Sequence, residues 1–284
     1  MKFRSVGLLI IACLIAVSTV FAGGRSDPAP TSAPAAAQAA PAPYTIEVGG
    51  STSVTPLMEL FAEEYKKLHP HIQVNINGTG SGDGITNAGV IYQIGMSSRE
   101  LTPTELGRGL IVETIAIDAI AVIVNNSNPA SNLTIEQIRG IYTGEITNWS
   151  QVTGGAKTGP IAVISREEGS GTRGAFEEIA GFQGRLVRGA NEFTSTGSIL
   201  SAVATNADSI GYISLGSMNN SIKALSISNV VPSQANVING TYTIARPFIV
   251  MSSNSAHPET RAFLEWMFSP TAQGIVSTSW IGVR

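Results

Sequence analysis

"PIAVISREEGSGTRGAFEE", residues 160–178, joins a short β-branched apolar run to a Gly-Ser-Gly-Thr turn and then to a helical pattern. Residues 160–166 suit a strand, and the segment after the turn suits a helix with Ala175, Phe176 and Ile179 facing inward. The turn itself, Gly169-Ser170-Gly171-Thr172, has three physical uses. It can offer main-chain N–H groups to an anion, hold a nucleophilic serine, or cap the helix.

The same unit recurs along the chain. "YTIEVGG" (44–50) leads through Ser51-Thr52-Ser53 into "PLMELFAEEYKKLHP" (56–70), where Leu57, Leu60, Phe61, Tyr65 and Leu68 share a helical face and Pro56 suits the first turn. "IQVNIN" (72–77) leads into Gly78-Thr79-Gly80-Ser81-Gly82 and a short helix. "AIDAIAVIVN" (116–125) is continuously apolar, as expected of a buried parallel strand. "TIEQIRGIYTG" (134–144) is a helix stopped by glycine, "SIGYISLG" (209–216) and "TIARPFIVM" (243–251) are strands, and residues 258–279 carry one or two helices. No internal repeat is visible. The alternation predicts an α/β architecture with ligands at the carboxyl ends of strands.

The 284 residues carry 17 Lys+Arg against 20 Asp+Glu, a net charge of -3, and 43% are apolar. A chain of this size holds one or two domains. Without a basic tract it offers no nucleic-acid surface, and any anion site must be built locally.

Residues 1–22 suit a signal peptide: Lys2 and Arg4 precede an apolar run from Val6 to Val20, and Val20-Phe21-Ala22 suits cleavage. Its removal takes away two cations and no acid, leaving -5. Ile10-Ile11-Ala12-Cys13 also fits a lipobox, so the chain is exported either as a soluble protein or lipid-anchored through Cys13 to the outer face of the cytoplasmic membrane. Residues 23–43 are a Pro/Ala-rich linker, and residues 44–284 suit two lobes. Cys13 is the only cysteine, so the folded part has no disulfide and no thiolate site.

Three Gly/Ser/Thr turns at equivalent places favour a small anion, although each alone suits a plain helix cap. Rival motifs fall short. Gly169 to Arg173 lacks the Lys-Ser/Thr of a P-loop, and Asp83 stands where a dinucleotide fingerprint needs glycine. Ser170 as a hydrolase nucleophile would need a histidine base, but His69, His71 and His257 each sit beside proline in a loop-like setting. No metal-ligand spacing is present, and no cofactor is expected.

"GGSTSVTPLMELFAEEY", "NGTGSGDGI", "IGMSSREL", "IYTGEITNW" and "SREEGSGTRGAFEE", in this order, resemble the phosphate-binding substrate-binding proteins of bacterial phosphate ABC importers. The resemblance runs from Tyr44 to the C-terminus. It implies a two-lobed periplasmic-binding-protein (Venus-flytrap) fold whose cleft closes on inorganic phosphate, with no catalytic activity, acting as a monomer that delivers phosphate to a membrane permease. It places residues 44–123 and 243–284 in one lobe and 124–242 in the other. By the same resemblance, Thr52, Ser53, Ser81 and Ser98 face Arg166, Ser170, Gly171 and Thr172 across the cleft. Glu168 would orient Arg166, with Glu167 a surface charge.

Ser98 departs from the family pattern, which has aspartate there to accept a proton from phosphate and repel sulfate. Asp83 is either the replacement acceptor or a helix cap. The alternatives to phosphate are another tetrahedral oxyanion, such as sulfate or molybdate, and a hydrolase or phosphatase using Ser170.

Overall fold

The computed structural model describes residues 41–283. The expected signal peptide, Cys13 and the linker up to residue 40 lie outside the described residues. Residues 41–43 are exposed and irregular, and regular structure begins at Tyr44.

The first elements are β1 (Tyr44–Gly50), α1 (Thr55–Leu68), β2 (Ile72–Gly78), α2 (Ser81–Asn87), β3 (Ile94–Ser97), α3 (Pro103–Leu106) and β4 (Ile111–Asn125). The chain continues through β5 (Asn132–Leu133), α4 (Ile135–Thr143), α5 (Ser150–Thr153), β6 (Ala162–Arg166), α6 (Gly171–Ala180), β7 (Asn191–Phe193), α7 (Thr196–Thr205) and β8 (Ser209–Ser214). It ends with β9 (Ile222–Ala224), β10 (Ser226–Ile227), α8 (Gln234–Ile238), β11 (Ala245–Ser252), α9 (Pro258–Trp266) and α10 (Pro270–Val276).

The fold is α/β and two-lobed. One hydrogen-bonded path runs β2-β1-β3-β11-β4-β8-β6-β7, with β9 also on β4. Strand β1 is parallel to β2 and β3, and β6 is parallel to β7 and β8. Between these parallel groups, β11 and β4 are antiparallel to each other and to their outer neighbours β3 and β8. This corrects the expectation of a parallel strand at residues 116–125. The apolar run reports burial on both faces, and burial carries no information on strand direction.

Side-chain alternation divides the interior. On β4, Ile120, Val122 and Val124 enter a core with Ile138, Ile141, Phe176 and Tyr212, while Ala121 and Ile123 face Ile199 and Val203 of α7. On β11, Phe248 and Val250 join Ile46, Leu57, Phe61 and Phe263, while Ile249 and Met251 meet Ile85 and Leu101. Each parallel group is thus covered on both faces, and β4 and β11 link the two lobes.

Helix α1 buries Leu57, Met58, Phe61 and Tyr65, whereas Leu60 and Leu68 of the expected stripe are 42% and 55% exposed. The buried stripe is rotated towards Met58 because α9 and α10 pack on one side of the helix. Gly144 ends α4 in the left-handed region at φ 82°, as the glycine stop predicts.

The loop after β3 carries Ser98 and is pinned immediately downstream. Arg99 donates both terminal nitrogens to Glu105 at 2.8 Å, and Glu105 also accepts from the Thr102 N–H in a capping box that starts α3. The Arg99 hydrogen bonds are the main reason the Glu105 carboxyl titrates at about 2. A carboxyl held low in the fold stabilises above its unfolded pKa and loses that contribution as pH falls. Glu105→Gln should therefore lower the melting temperature at pH 7, and its gap from wild type should close between pH 4.5 and about 2. A gap that stays constant through that range in thermal melts contradicts this assignment.

Candidate functional site

Five strands deliver their carboxyl ends to one place. Strand β1 ends at Gly50, β2 at Gly78, β3 at Ser97, β6 at Arg166 and β7 at Phe193. Gly50 makes the first turn feasible: its φ is 132°, and a Cβ there would collide with the Met96 carbonyl. The chain can then reverse tightly enough to bring Ser51–Ser53 against β3.

The predicted site residues from the two lobes meet. Ser53 Oγ lies 2.9 Å from Thr172 Oγ1, directly across the cleft. The Ser98 N–H donates to Ser81 Oγ at 3.1 Å, and the two hydroxyls are 3.3 Å apart. A Cβ on Gly171 would collide with Ser81 Oγ and come within 2.8 Å of Ser98 Oγ, so both hydroxyls face the first turn of α6. The Gly82 N–H donates to the Gly169 carbonyl at 2.9 Å, tying the second turn to the third. Ser53, Ser81, Ser98, Arg166, Ser170 and Thr172 are all buried. Thr52 is partly buried and lies 3.3 Å from Thr196 Oγ1.

Ser170 caps α6, its Oγ accepting from the Arg173 N–H at 3.3 Å. The capping use of this turn is therefore realised, and its neighbours Gly171 and Thr172 face the opposite lobe. The nucleophile reading finds no base. His257 stacks on Tyr44, the His71 carbonyl accepts from the Tyr44 N–H, and His69 lies beside His71. All three histidines thus gather at the far end of β1, roughly 20 Å from its glycine end at the strand rise per residue.

Arg166 is 2% exposed. Its Nε and Nη2 each donate to Glu167 at 2.8 Å, and Nε also reaches the Phe193 carbonyl. Glu168, expected to hold Arg166, is exposed instead. The adjacent side chain reaches back along the bend after β6 to form a two-point pair, and Glu168 points outward. Nη1 donates to Thr196 Oγ1 at 3.5 Å.

Asp83 is not drawn into this cluster. Its oxygens take donors from Thr79, Asn87 and Tyr92. Burial raises its pKa, but these three hydrogen bonds outweigh it and hold the carboxyl below its usual range. The cap residue of α2 is Gly80, so Asp83 organises its own turn through side chains.

Four participants escaped sequence reasoning. Ser51 donates to Ser98 Oγ at 2.8 Å. Thr196 opens α7 after Ser195, and "FTSTGSIL" (193–200) carries the same strand–turn–helix signal as the other three turns. Asp118 and Arg246 form a buried pair at 3.2 Å behind Ser98; Arg246 is the lone charge of β11, and Asp118 is the lone charge of the apolar run 116–125. Burial pushes Asp118 up to about 6 against the pull of Arg246 and Ser214, and lowers Arg246 to about 10. Among the described residues no group of His, Cys, Asp or Glu is placed to hold a metal, and no helix is long and apolar enough to cross a membrane.

Residues 29–271 match the family model described as PBP superfamily domain. The chain is 29% identical over 255 residues to the phosphate-binding protein PstS of Borreliella burgdorferi, covering 84% of this chain and 90% of that one. A protein of Clostridium perfringens assigned as a phosphate ABC transporter substrate-binding protein, solved with bound phosphate, is 39% identical; the match covers 85% of this chain and all of that one, with a TM-score of 0.82. An ABC-type phosphate transport receptor from Vibrio cholerae is 36% identical, over 84% of this chain and 100% of that one, with a TM-score of 0.70. With a family model and two structures above a third identity agreeing along most of its length, the chain belongs to the PBP superfamily, among the phosphate-binding substrate-binding proteins.

Proposed function

We propose that this protein is an exported, non-catalytic binding protein that captures inorganic phosphate between its lobes and hands it to the membrane permease of an ABC importer. The observation that carries the reading is the meeting of buried hydroxyls from Ser53, Ser81, Ser98 and Thr172 near Arg166, whose Nη1 makes only a long contact to Thr196 Oγ1 at 3.5 Å. The lobes we assign are residues 44–123 with 243–284, and residues 124–242; two separate cores support a division into two lobes, with Ala119, Ile120, Val122 and Ile244 packing in the second core, so the crossing falls a few residues inside these bounds. The relatives support phosphate as the ligand and a permease as the recipient. The leader-like residues 1–22 support export, with Cys13 as the point of lipid anchorage if it is retained.

Burying a dianion is costly unless donors replace its water. Here Ser53, Ser81, Ser98 and Thr172 offer hydroxyls, and the start of α6 offers N–H groups unpaired within the helix. Arg166 supplies one charge-assisted contact, and Glu167 holds its plane fixed. Because the donors are split between lobes, the anion satisfies them only when the cleft is closed. Ligand binding and hinge closure are then one equilibrium.

A second reading, capture of another tetrahedral oxyanion such as sulfate, is favoured by one observation: among the described residues, the buried or half-buried carboxylates near these turns are each held by donors of their own. Glu167 is bound to Arg166, Asp83 to three donors, and Asp118 to Arg246 and Ser214. Ser98 accepts from Ser51 and still has a hydrogen to donate.

Calorimetric titration with phosphate and sulfate distinguishes the readings. Phosphate should bind saturably, and at a hundredfold excess over Kd it should stabilise the fold by about 2.7 kcal/mol. No heat and no melting shift with phosphate contradicts the proposal, and preferential sulfate binding selects the second reading. Gly171→Ala should weaken phosphate binding at least about tenfold, roughly 1.4 kcal/mol, because the new methyl displaces Ser81 and Ser98. Unchanged affinity in that variant would remove the third turn from the site.

A further inference from the structure

Arg246 and Asp118 stand directly opposite each other on β11 and β4, at the point where these strands pass from one core to the other. Arg246 is 3% exposed and Asp118 is 1% exposed. The guanidinium donates Nη2 to Asp118 Oδ2 at 3.2 Å and Nη1 to the Ser98 carbonyl at 3.0 Å. The carboxylate in turn accepts from Ser214 Oγ of β8 at 2.8 Å. One charge pair therefore reaches the cleft hydroxyls of the first lobe through Arg246, and the central strand of the second through Asp118.

Stability alone gives little reason for such a pair. Desolvation of two buried charges offsets most of their attraction, and apolar replacements of similar volume are often neutral or stabilising. Here Arg246 Nε has no partner, a further unfavourable feature. Position supplies the reason. Holding the Ser98 carbonyl fixes the Ser98–Arg99 peptide and so restrains the main chain at Ser98, whose N–H orients Ser81 and whose hydroxyl faces α6. Arg246 also feels the charge of Arg166, so it contributes to the potential at the same cleft.

We infer that Arg246 is a positioning residue of the anion site, fixing Ser98 through its carbonyl, and that Asp118 sets how much of the Arg246 charge the anion feels. This rests on the reading of the cleft as an oxyanion site. Two variants test it by phosphate calorimetry at pH 7.5 together with melting of the anion-free protein. Asp118→Asn removes a negative charge close to the cleft. Phosphate affinity should rise several-fold, up to about tenfold, while the melting temperature falls because Arg246 loses its counter-ion. A structural role alone predicts no such opposition of sign. The double variant Asp118→Leu with Arg246→Met leaves no unpaired charge, so it should fold with a melting temperature near wild type yet bind phosphate at least about tenfold more weakly. Unchanged affinity in the double variant, or weaker binding by Asp118→Asn, overturns the inference while leaving the phosphate reading intact. A wild-type protein that binds no phosphate overturns that reading, and the inference with it.

Discussion

A dianion taken out of water must be given back the hydrogen bonds it loses, and a site with a single arginine can meet most of that demand only with dipoles. This constraint explains why serines and threonines, rather than lysines, line the cleft. It also explains why they come from two lobes. A single turn supplies two or three donors, too few to surround a tetrahedral anion, whereas turns facing each other enclose it. The Ser53–Thr172 contact marks where the two sets meet.

The remainder of the fold follows from holding those turns. Parallel strands covered by helices end in turns at one edge, and each lobe contributes such an edge. Strands β4 and β11 are antiparallel because they carry the chain out of the first lobe and back into it. That places a pair of connecting strands behind the cleft, with Asp118 and Arg246 on them. Two arginines are thus buried near the site, each with its own acid: Arg166 with Glu167 at the mouth of α6, and Arg246 with Asp118 at the crossing. The local charge is nearly balanced, so selectivity rests on geometry more than on net field.

The strand–turn–helix units were legible because each is a local pattern. β-Branched runs, glycines and hydroxyls occur in the order that strand, turn and helix start require, as at residues 160–178. The turn residues could be located from sequence for the same reason. What escaped was non-local. The direction of β4 depends on its neighbours, which its own hydropathy does not encode. The choice of Glu167 over Glu168 depends on how the chain bends after β6, a matter of one residue in register. The spacing of Leu60 allows it in the buried stripe of α1, but Met58 is buried in its place. Thr196 carries the same local signal as the other turns. Asp118 and Arg246 each look anomalous in an apolar run, and only the register of β4 with β11 shows that they answer each other.

The proposed function requires an oxyanion held between the turns carrying Ser53, Ser81 and Ser98 and the turn at Arg166 and Ser170–Thr172. A crystal structure of the protein with phosphate tests this. The expected density is tetrahedral, lies between these groups within hydrogen-bond distance of the Gly171 N–H and Arg166 Nη1, and has the lobes closed around it. Phosphate seated outside the cleft, or held by one lobe alone, would contradict it.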